Sequence, residues 1–318
     1  MRFKRVCTVM LSVILTTALS SCAQKPVAPD SLGSITVGSK EFVESEILAE
    51  LIAERLTARG FTVDTRRAIG GTQELRQGLV DGSIDIYPEY TGTALAGLPG
   101  GRPSVVASEV LTDPYLSFHT VSLIDRRDFD MVWLNPAPGN NTFIIAIPRS
   151  MATSEGISTI SEFAEYVRRG GRVKLVASKQ SLARSDSLKR FEDIYGFRLH
   201  AGQIESMAAI ESLLAEQAAG QGAGGVNAAL GYSTDAGIEP NDLVALVDDK
   251  HAQIVYQPAP VLMAKTQERY PEIAEALAPV FAKLTTETLR ELNAAVVLEG
   301  QEPSTVARKW LAANGFGE

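Results

Sequence analysis

The stretch Asp85-Ile86-Tyr87-Pro88-Glu89-Tyr90-Thr91-Gly92-Thr93 decides how the rest of the chain is interpreted. It contains the end of the apolar strand signal at 83–86 and precedes Ala94-Leu95-Ala96, which can begin a helix. Pro88 restricts the preceding residue to extended backbone, and its own fixed φ stiffens the segment. The stretch therefore predicts a rigid strand-to-helix corner. In open α/β sheets, ligands bind at such corners, beyond the carboxyl ends of the strands.

The side chains of this corner have different predicted roles. We interpret Tyr87 as a packing residue and Tyr90 as a residue that faces a ligand. Thr91 and Thr93 can cap the start of a helix, and Gly92 permits a close approach of backbone. The corner thus offers an aromatic ring and hydroxyl groups to a ligand.

Strand and helix signals alternate before the corner. Ile35–Gly38 indicates a strand, the helix after it has apolar residues at i, i+3 and i+4 spacing as far as Leu56, and Phe61–Thr65 indicates a second strand. A second helix begins at Gly70-Gly71-Thr72, closes near Asp81 and leads into the third strand. This βαβαβ order predicts an α/β fold with a parallel sheet and helices on its faces.

Two proline-rich extended segments divide the chain. The first, at 133–142, precedes a second α/β unit, and the second, at 255–261, precedes three C-terminal helices. We therefore expect lobe I to comprise residues 35–135 and 255–318, and lobe II to comprise residues 136–254. Two crossings between two lobes predict a two-segment hinge with a cleft between the lobes, which is the architecture of a binding protein.

The N-terminus has the pattern of an export signal. Three basic residues occupy the first five positions, and the apolar stretch Val6–Leu19 is short for a membrane span. Leu19-Ser20-Ser21-Cys22 resembles a bacterial lipobox, which predicts a signal peptide at 1–21, a lipid on Cys22 and a tether at 22–34. We expect an exported protein, lipid-anchored on the periplasmic or extracellular face of a membrane. An ordinary cleaved signal peptide with an incidental cysteine is the alternative.

Composition and motifs argue against several classes of function. The net charge of −8 over 318 residues argues against a nucleic-acid partner and favours a small cationic or zwitterionic ligand. His119, His200 and His251 are scattered without metal-ligand spacing. The sequence has no nucleophile elbow, P-loop or dinucleotide fingerprint. We therefore expect a protein that is not an enzyme, with no catalytic residue, metal or cofactor.

Three tyrosines stand where strands or crossings end: Tyr90, Tyr232 and Tyr256. Aromatic faces from both lobes can surround a quaternary ammonium, and each cation–π contact contributes about 0.5–2 kcal/mol when water is excluded. Thr93, or backbone N–H groups near Ser39 at the start of the first helix, can hold a carboxylate at the other end of the ligand. This arrangement favours a ligand with a quaternary ammonium group.

Seven motifs occur in order along the chain. They are Gly38-Ser39-Lys40 followed by Phe42 and Glu44, Gly70-Gly71-Thr72, the stretch Asp85 to Thr93, Asn140-Asn141-Thr142, Tyr232-Ser233-Thr234-Asp235, Asp248-Asp249-Lys250-His251 and Ala259-Pro260-Val261. Together they resemble the substrate-binding proteins of glycine betaine/carnitine/choline (osmoprotectant) ABC importers. The resemblance covers nearly all of the chain, from about Ile35 to about Trp310.

This resemblance implies a type II periplasmic-binding-protein fold with an aromatic cage between the lobes. The family's cage tyrosines correspond to Tyr90, Tyr232 and Tyr256, and its ligand-contacting threonine corresponds to Thr93. The implied partners are a small ligand and an ABC permease with its ATPase. We also expect a monomer that reaches the membrane through its lipid anchor.

The sequence departs from the family at two places. The first crossing often carries another cage aromatic, but here it is Pro136-Ala137-Pro138-Gly139, and Ser45 stands where relatives often have glutamine. Three other residues are candidates for ligand contact, each with an alternative. Glu89 is alternatively a partly solvated carboxylate, Asn140 a residue that pins the crossing, and Arg184 the partner of a nearby aspartate.

We expect the protein to capture a quaternary-ammonium compatible solute and to deliver it to an ABC permease. Within the binding class, the alternative is a different small solute on the same scaffold. From another class, the alternatives are a sensor subunit or an enzyme. Permease and ATPase genes beside this one would favour transport over sensing.

Overall fold

The computed structural model describes residues 31–96, 107–207 and 219–317. The predicted signal peptide at 1–21, the lipid anchor at Cys22 and most of the predicted tether lie outside these residues. The sequence also indicates a helix at 207–217; most of that segment lies outside the described residues, and Met207 itself ends a strand. Among the helices that are described, none is long and apolar enough to cross a membrane.

The strands form two five-stranded sheets, one in each lobe. The lobe I sheet has the order β2-β1-β3-β10-β4, with β1 (Ser34–Lys40), β2 (Thr62–Gly70), β3 (Ile86–Tyr90), β4 (Met131–Trp133) and β10 (Pro258–Met263). The lobe II sheet has the order β7-β6-β8-β5-β9, with β5 (Phe143–Pro148), β6 (Leu175–Ser178), β7 (Ile204–Met207), β8 (Ala228–Tyr232) and β9 (Leu243–Ala245). The predicted α/β, two-lobed fold is confirmed, whereas the exact lobe boundaries stay a prediction.

Helices cover both sheets. Those of lobe I are α1 (Val43–Ala58), α2 (Thr72–Asp81), α3 (Thr91–Ala96), α4 (Ser108–Thr112), α5 (Pro114–Phe129), α10 (Ala264–Arg269), α11 (Glu272–Phe281), α12 (Thr286–Val297) and α13 (Pro303–Ala313). Those of lobe II are α6 (Arg149–Glu155), α7 (Ile160–Arg168), α8 (Lys179–Ala183) and α9 (Leu188–Tyr195), with 3₁₀ turns at Ala201–Gln203 and Ala223–Gly225. The sequence pattern at 182–195 is that of one continuous helix, but the structure breaks it between α8 and α9. There the Ser187 hydroxyl donates to the carbonyls of Ser181 and Arg184 and ends α8.

The three strands of the predicted βαβαβ unit are parallel, as expected, but both complete sheets are mixed. Strand β1 pairs in parallel with β2 and β3, but β10 runs antiparallel to β3 and β4. In lobe II, β5 runs antiparallel to β8 and β9. The antiparallel strands β5 and β10 are the two that enter a sheet directly from a crossing. No crossover helix of the βαβ type precedes them, so nothing requires them to be parallel to their neighbours.

The stretch Asp85–Thr93 lies in the middle of the lobe I sheet. Strand β3 is fully buried and continues to Tyr90, beyond the strand signal that ends at Ile86. Pro88 is tolerated there because it stands opposite Pro260 in the antiparallel register, so two residues without N–H groups face each other. Helix α3 begins at the next residue, Thr91, which gives the predicted strand-to-helix corner.

The two crossings are hydrogen-bonded to each other. The Asn140 side-chain oxygen accepts a 2.7 Å hydrogen bond from Tyr256 N–H, and the Thr142 hydroxyl donates at 2.7 Å to the Ile254 carbonyl. At the corner, a Cβ on Gly92 would lie 2.6 Å from both Ile254 Cγ2 and the Val255 carbonyl oxygen. Only glycine therefore allows the second crossing to pass this close to α3.

Each lobe has an apolar core, and in lobe I a buried ion pair joins Arg76 of α2 to Asp125 of α5. Asp125 is fully buried, and its carboxylate accepts two hydrogen bonds from Arg76, at 2.7 and 2.9 Å. The Trp133 indole N–H donates to the same carboxylate at 2.7 Å. Trp133 therefore packs in the core and also ties β4 to α5.

Candidate functional site

A cleft of about 640 Å³ lies between the two lobes. Its wall is formed by the first turn of α1, α3, α8, the end of β8 with the residues after it, the two crossings, and α12. Both lobes and both hinge segments, through Asn141 of the first crossing and Tyr256 of the second, therefore contribute side chains to the same cavity. Within the described ranges, no three His, Cys, Asp or Glu side chains are grouped so that they could hold a metal ion.

Tyr90 forms part of the wall on the lobe I side. Its hydroxyl donates a 2.8 Å hydrogen bond to Glu44 Oε1, and its ring centre lies 5.8 Å from that of Phe42. Burial, and then the negative charge of Glu44, raise the pKa of the Tyr90 phenol well above its ordinary value. Tyr90 is thus a neutral phenol at physiological pH, held by a carboxylate.

Tyr232 contributes the wall on the lobe II side. It ends β8, and its ring stacks on Phe143 with the ring centres 4.5 Å apart. Its backbone N–H donates a 2.6 Å hydrogen bond to Asp235 Oδ2, which fixes the turn that follows. Burial raises the pKa of the Tyr232 phenol. A core aromatic behind this ring therefore sets its orientation at the cleft.

Tyr256 reaches the cleft from the second crossing. Its hydroxyl donates to Asp186 Oδ2 at 2.7 Å and accepts from Arg184 Nη2 at 3.2 Å. Burial, and then the charge of Asp186, raise the pKa of the Tyr256 phenol. The three cage tyrosines expected from the sequence thus line one cavity, from lobe I, lobe II and the hinge.

Arg184 supplies a positive charge at the cleft wall. Its guanidinium donates two hydrogen bonds to Asp186, at 2.8 and 2.6 Å, and these raise the pKa of Arg184. Burial alone would raise the pKa of Asp186, but hydrogen bonds from Arg184 and Tyr256 outweigh it and lower that pKa. The pair is therefore ionised, and the Arg184 side chain, 41% exposed, can meet a ligand carboxylate.

Thr93 and Lys40 complete the polar part of the wall. Thr93 lies in the first turn of α3, next to the cleft. The Lys40 ammonium donates to Thr72 Oγ1 at 2.8 Å and forms a buried salt bridge with Glu89. Its charge is thus balanced within lobe I.

Four of the predicted site residues are not brought to the cleft wall: Ser39, Ser45, Glu89 and Asn140. Their side chains are engaged inside the protein. Ser39 Oγ accepts from Ala68 N–H at 3.0 Å, and Ser45 Oγ accepts from Lys40 N–H at 2.9 Å. Glu89 is fully buried against Lys40, so the expectation of a partly solvated carboxylate is wrong. Asn140 pins the second crossing, which is the structural role considered for it.

Several wall residues were not predicted as site residues: Phe42, Glu44 and Asn293. The sequence marked Phe42 and Glu44 only as motif positions after Gly38-Ser39-Lys40. Phe42 is 40% exposed beside Tyr90, whereas Ala137 of the first crossing is buried and offers no ring. Phe42 therefore supplies an apolar ring at the cleft that the first crossing lacks. No local sequence pattern marks Asn293 as a site residue, because α12 is distant from Tyr90 along the chain and the two meet only in the folded protein.

The chain is similar to known binding proteins over most of its length. The family OpuAC, the substrate binding domain of ABC-type glycine betaine transport systems, matches residues 33–313. The glycine betaine-binding protein YehZ of Escherichia coli is 33% identical over 89% of this chain and 91% of that protein. A glycine-betaine-binding protein of Pseudomonas aeruginosa is 30% identical over 87% of each. The solved structure of apo YehZ from Escherichia coli has a TM-score of 0.78, at 33% identity, over 89% of this chain and 99% of that chain.

Proposed function

The chain belongs to the OpuAC family of substrate-binding domains of ABC-type glycine betaine transport systems, and we propose that it captures a quaternary-ammonium compatible solute in its interlobe cleft. It is the substrate-binding component of a glycine betaine, carnitine or choline type of ABC transporter and not an enzyme. We further propose which residues hold the solute and how the protein passes it to the permease.

One observation carries the proposal: three tyrosines from lobe I, lobe II and the hinge line a single cavity. A quaternary ammonium has no N–H group, so it gains little from hydrogen-bond acceptors and much from aromatic faces. Each cation–π contact contributes about 0.5–1 kcal/mol at an exposed site and about 2 kcal/mol once the lobes exclude water. Tyr90, Tyr232 and Tyr256 together therefore contribute a few kcal/mol, with Phe42 as an added apolar wall.

The opposite end of the ligand is expected to meet the polar side of the cleft. Arg184 is the residue best suited to a carboxylate, because a planar guanidinium binds carboxylates through two hydrogen bonds. To bind a ligand carboxylate, Arg184 either keeps one of its two hydrogen bonds to Asp186 or gives up both. The Thr93 hydroxyl is a second donor for the same end.

Ligand capture is coupled to transport by lobe closure. A ligand that contacts both lobes at once binds the closed form more tightly than the open form and so shifts the equilibrium towards it. We propose that the closed, loaded protein docks as a monomer on an ABC permease driven by its ATPase. We also propose that it does so outside the cytoplasm, anchored by lipid at Cys22.

The test is calorimetric titration of the protein without residues 1–21 and with Cys22 replaced by serine, refolded to remove carried ligand. The panel contains glycine betaine, choline, carnitine, proline betaine, ectoine and several ordinary amino acids. We expect saturable binding of at least one quaternary ammonium and none of the ordinary amino acids. Binding of an amino acid alone, or silence of a folded protein across the panel, would refute the capture of a quaternary ammonium and indicate a different solute on the same scaffold.

A further inference from the structure

Glu44 is a buried carboxylate at the wall of the cleft, in the first turn of α1. It is 4% exposed and accepts three hydrogen bonds, all from neutral donors. Tyr90 Oη and Asn141 Nδ2 donate to Oε1 at 2.8 and 2.9 Å, and Asn293 Nδ2 donates to Oε2 at 2.8 Å. In the described part of the chain, no basic side chain forms a salt bridge with Glu44.

Two other buried or partly buried charges at the cleft wall are balanced in ion pairs. Lys40 pairs with Glu89, and Arg184 pairs with Asp186. Glu44 has no such paired cation among the described residues, although it is 4% exposed. A buried charge without a counter-charge is unfavourable, and the three donors and the positive end of helix α1 offset only part of that cost. A ligand cation in the cleft would supply the positive charge that compensates Glu44.

We propose that Glu44 is the counter-charge for the cationic head of the ligand and so determines specificity for cations over neutral molecules of the same shape. The inference rests on the proposed function, because it concerns the same cleft. Part of the effect is direct: the negative charge of Glu44 attracts the ligand's ammonium group through space, and the low dielectric of the cleft strengthens this attraction. Part acts through Tyr90, since a phenol that donates to a carboxylate has a more electron-rich ring face for a cation–π contact.

Glu44 also has a structural role that the test must separate from its charge. Asn293, which donates to Glu44, donates as well to the Thr234 carbonyl at 2.9 Å. Thr234 lies two residues after Tyr232, so the network connects α1 with the corner that carries the second cage tyrosine. A variant that disrupts the network would misplace both rings and weaken every ligand.

The experiment compares two variants that separate charge from shape. Glu44→Gln keeps the length of the side chain and removes the charge, whereas Glu44→Asp keeps the charge and shortens the side chain by one methylene. The ligands are glycine betaine and 3,3-dimethylbutanoate, its carbon analogue without the positive charge. Affinities are measured by ligand-detected NMR, with folding checked by thermal unfolding. Glu54→Gln, on the same helix in an exposed pair with Arg308, is the control with equal net charge.

We expect Glu44→Gln to lower the affinity for glycine betaine at least about tenfold, and to lower it more than Glu44→Asp does. We expect 3,3-dimethylbutanoate, whose head group is uncharged, to lose less affinity than glycine betaine in Glu44→Gln. Glu54→Gln should bind like the wild type. If Glu44→Gln binds glycine betaine as well as Glu44→Asp or the wild type, the counter-charge role is wrong. Failure of the wild type itself to bind any quaternary ammonium would instead refute the proposed function.

Discussion

Replacement of Tyr232 by alanine is expected to weaken glycine betaine binding by about 2 kcal/mol, or roughly thirtyfold. The ring lies at the end of β8 and stacks on Phe143, so its removal takes away one complete face of the cage. Tyr90→Ala should have a similar or larger effect, because it also removes one of the three donors to Glu44. Isothermal titration of both variants, each shown to be folded, measures the loss.

Two matched variants show how much of the ligand affinity comes from the aromatic ring of Tyr232. Tyr232→Phe keeps the aromatic face and should bind within about threefold of the wild type. Tyr115→Ala removes a tyrosine that is 68% exposed on α5, outside the cleft, and should have no effect on affinity. Unchanged affinity in both Tyr90→Ala and Tyr232→Ala would disprove the aromatic cage.

Asp125→Ala is expected to lower the free energy of unfolding by about 3–5 kcal/mol. The substitution leaves the largely buried Arg76 guanidinium and the Trp133 indole N–H without their acceptor. Removal of one member of a buried pair is costly because the remaining charge stays desolvated. Urea unfolding, followed by circular dichroism, gives the difference from the wild type.

The control for this prediction is Glu165→Ala, which breaks an exposed pair with Arg168. Such pairs contribute about 0–1 kcal/mol, so its stability should be close to that of the wild type. Because Asp125 does not line the cleft, Asp125→Ala that is still folded should keep its affinity for glycine betaine. A loss of stability no larger than that of Glu165→Ala would contradict the importance assigned to the buried pair.

Local sequence signals were sufficient for the fold and for the main aromatic residues. Alternating strand and helix patterns and two proline-stiffened crossings predicted two α/β lobes joined by a hinge. Tyr90, Tyr232 and Tyr256 were predicted because each stands at the end of a strand or crossing. The direction of β5 and β10 was not predictable in this way, since hydrogen-bond pairing across a sheet depends on contacts distant in sequence.

The polar part of the site depended on contacts that no local pattern shows. The burial of Glu89 is explained by its salt bridge with Lys40 inside lobe I. Lys40 is 49 residues away along the chain. Glu44 looked like an ordinary acidic residue in a first helical turn, a common position for carboxylates. Only the approach of Tyr90, Asn141 and Asn293 distinguishes it from a solvated side chain.

The central claim is that the three tyrosines enclose the cationic head of the ligand. The most direct measurement is a crystal structure of the complex with glycine betaine. The account predicts that the quaternary nitrogen lies within about 6 Å of the ring centres of Tyr90, Tyr232 and Tyr256, with the carboxylate directed towards Arg184. A ligand bound outside the cleft, or one whose carboxylate rather than its ammonium lies among the rings, would contradict the account.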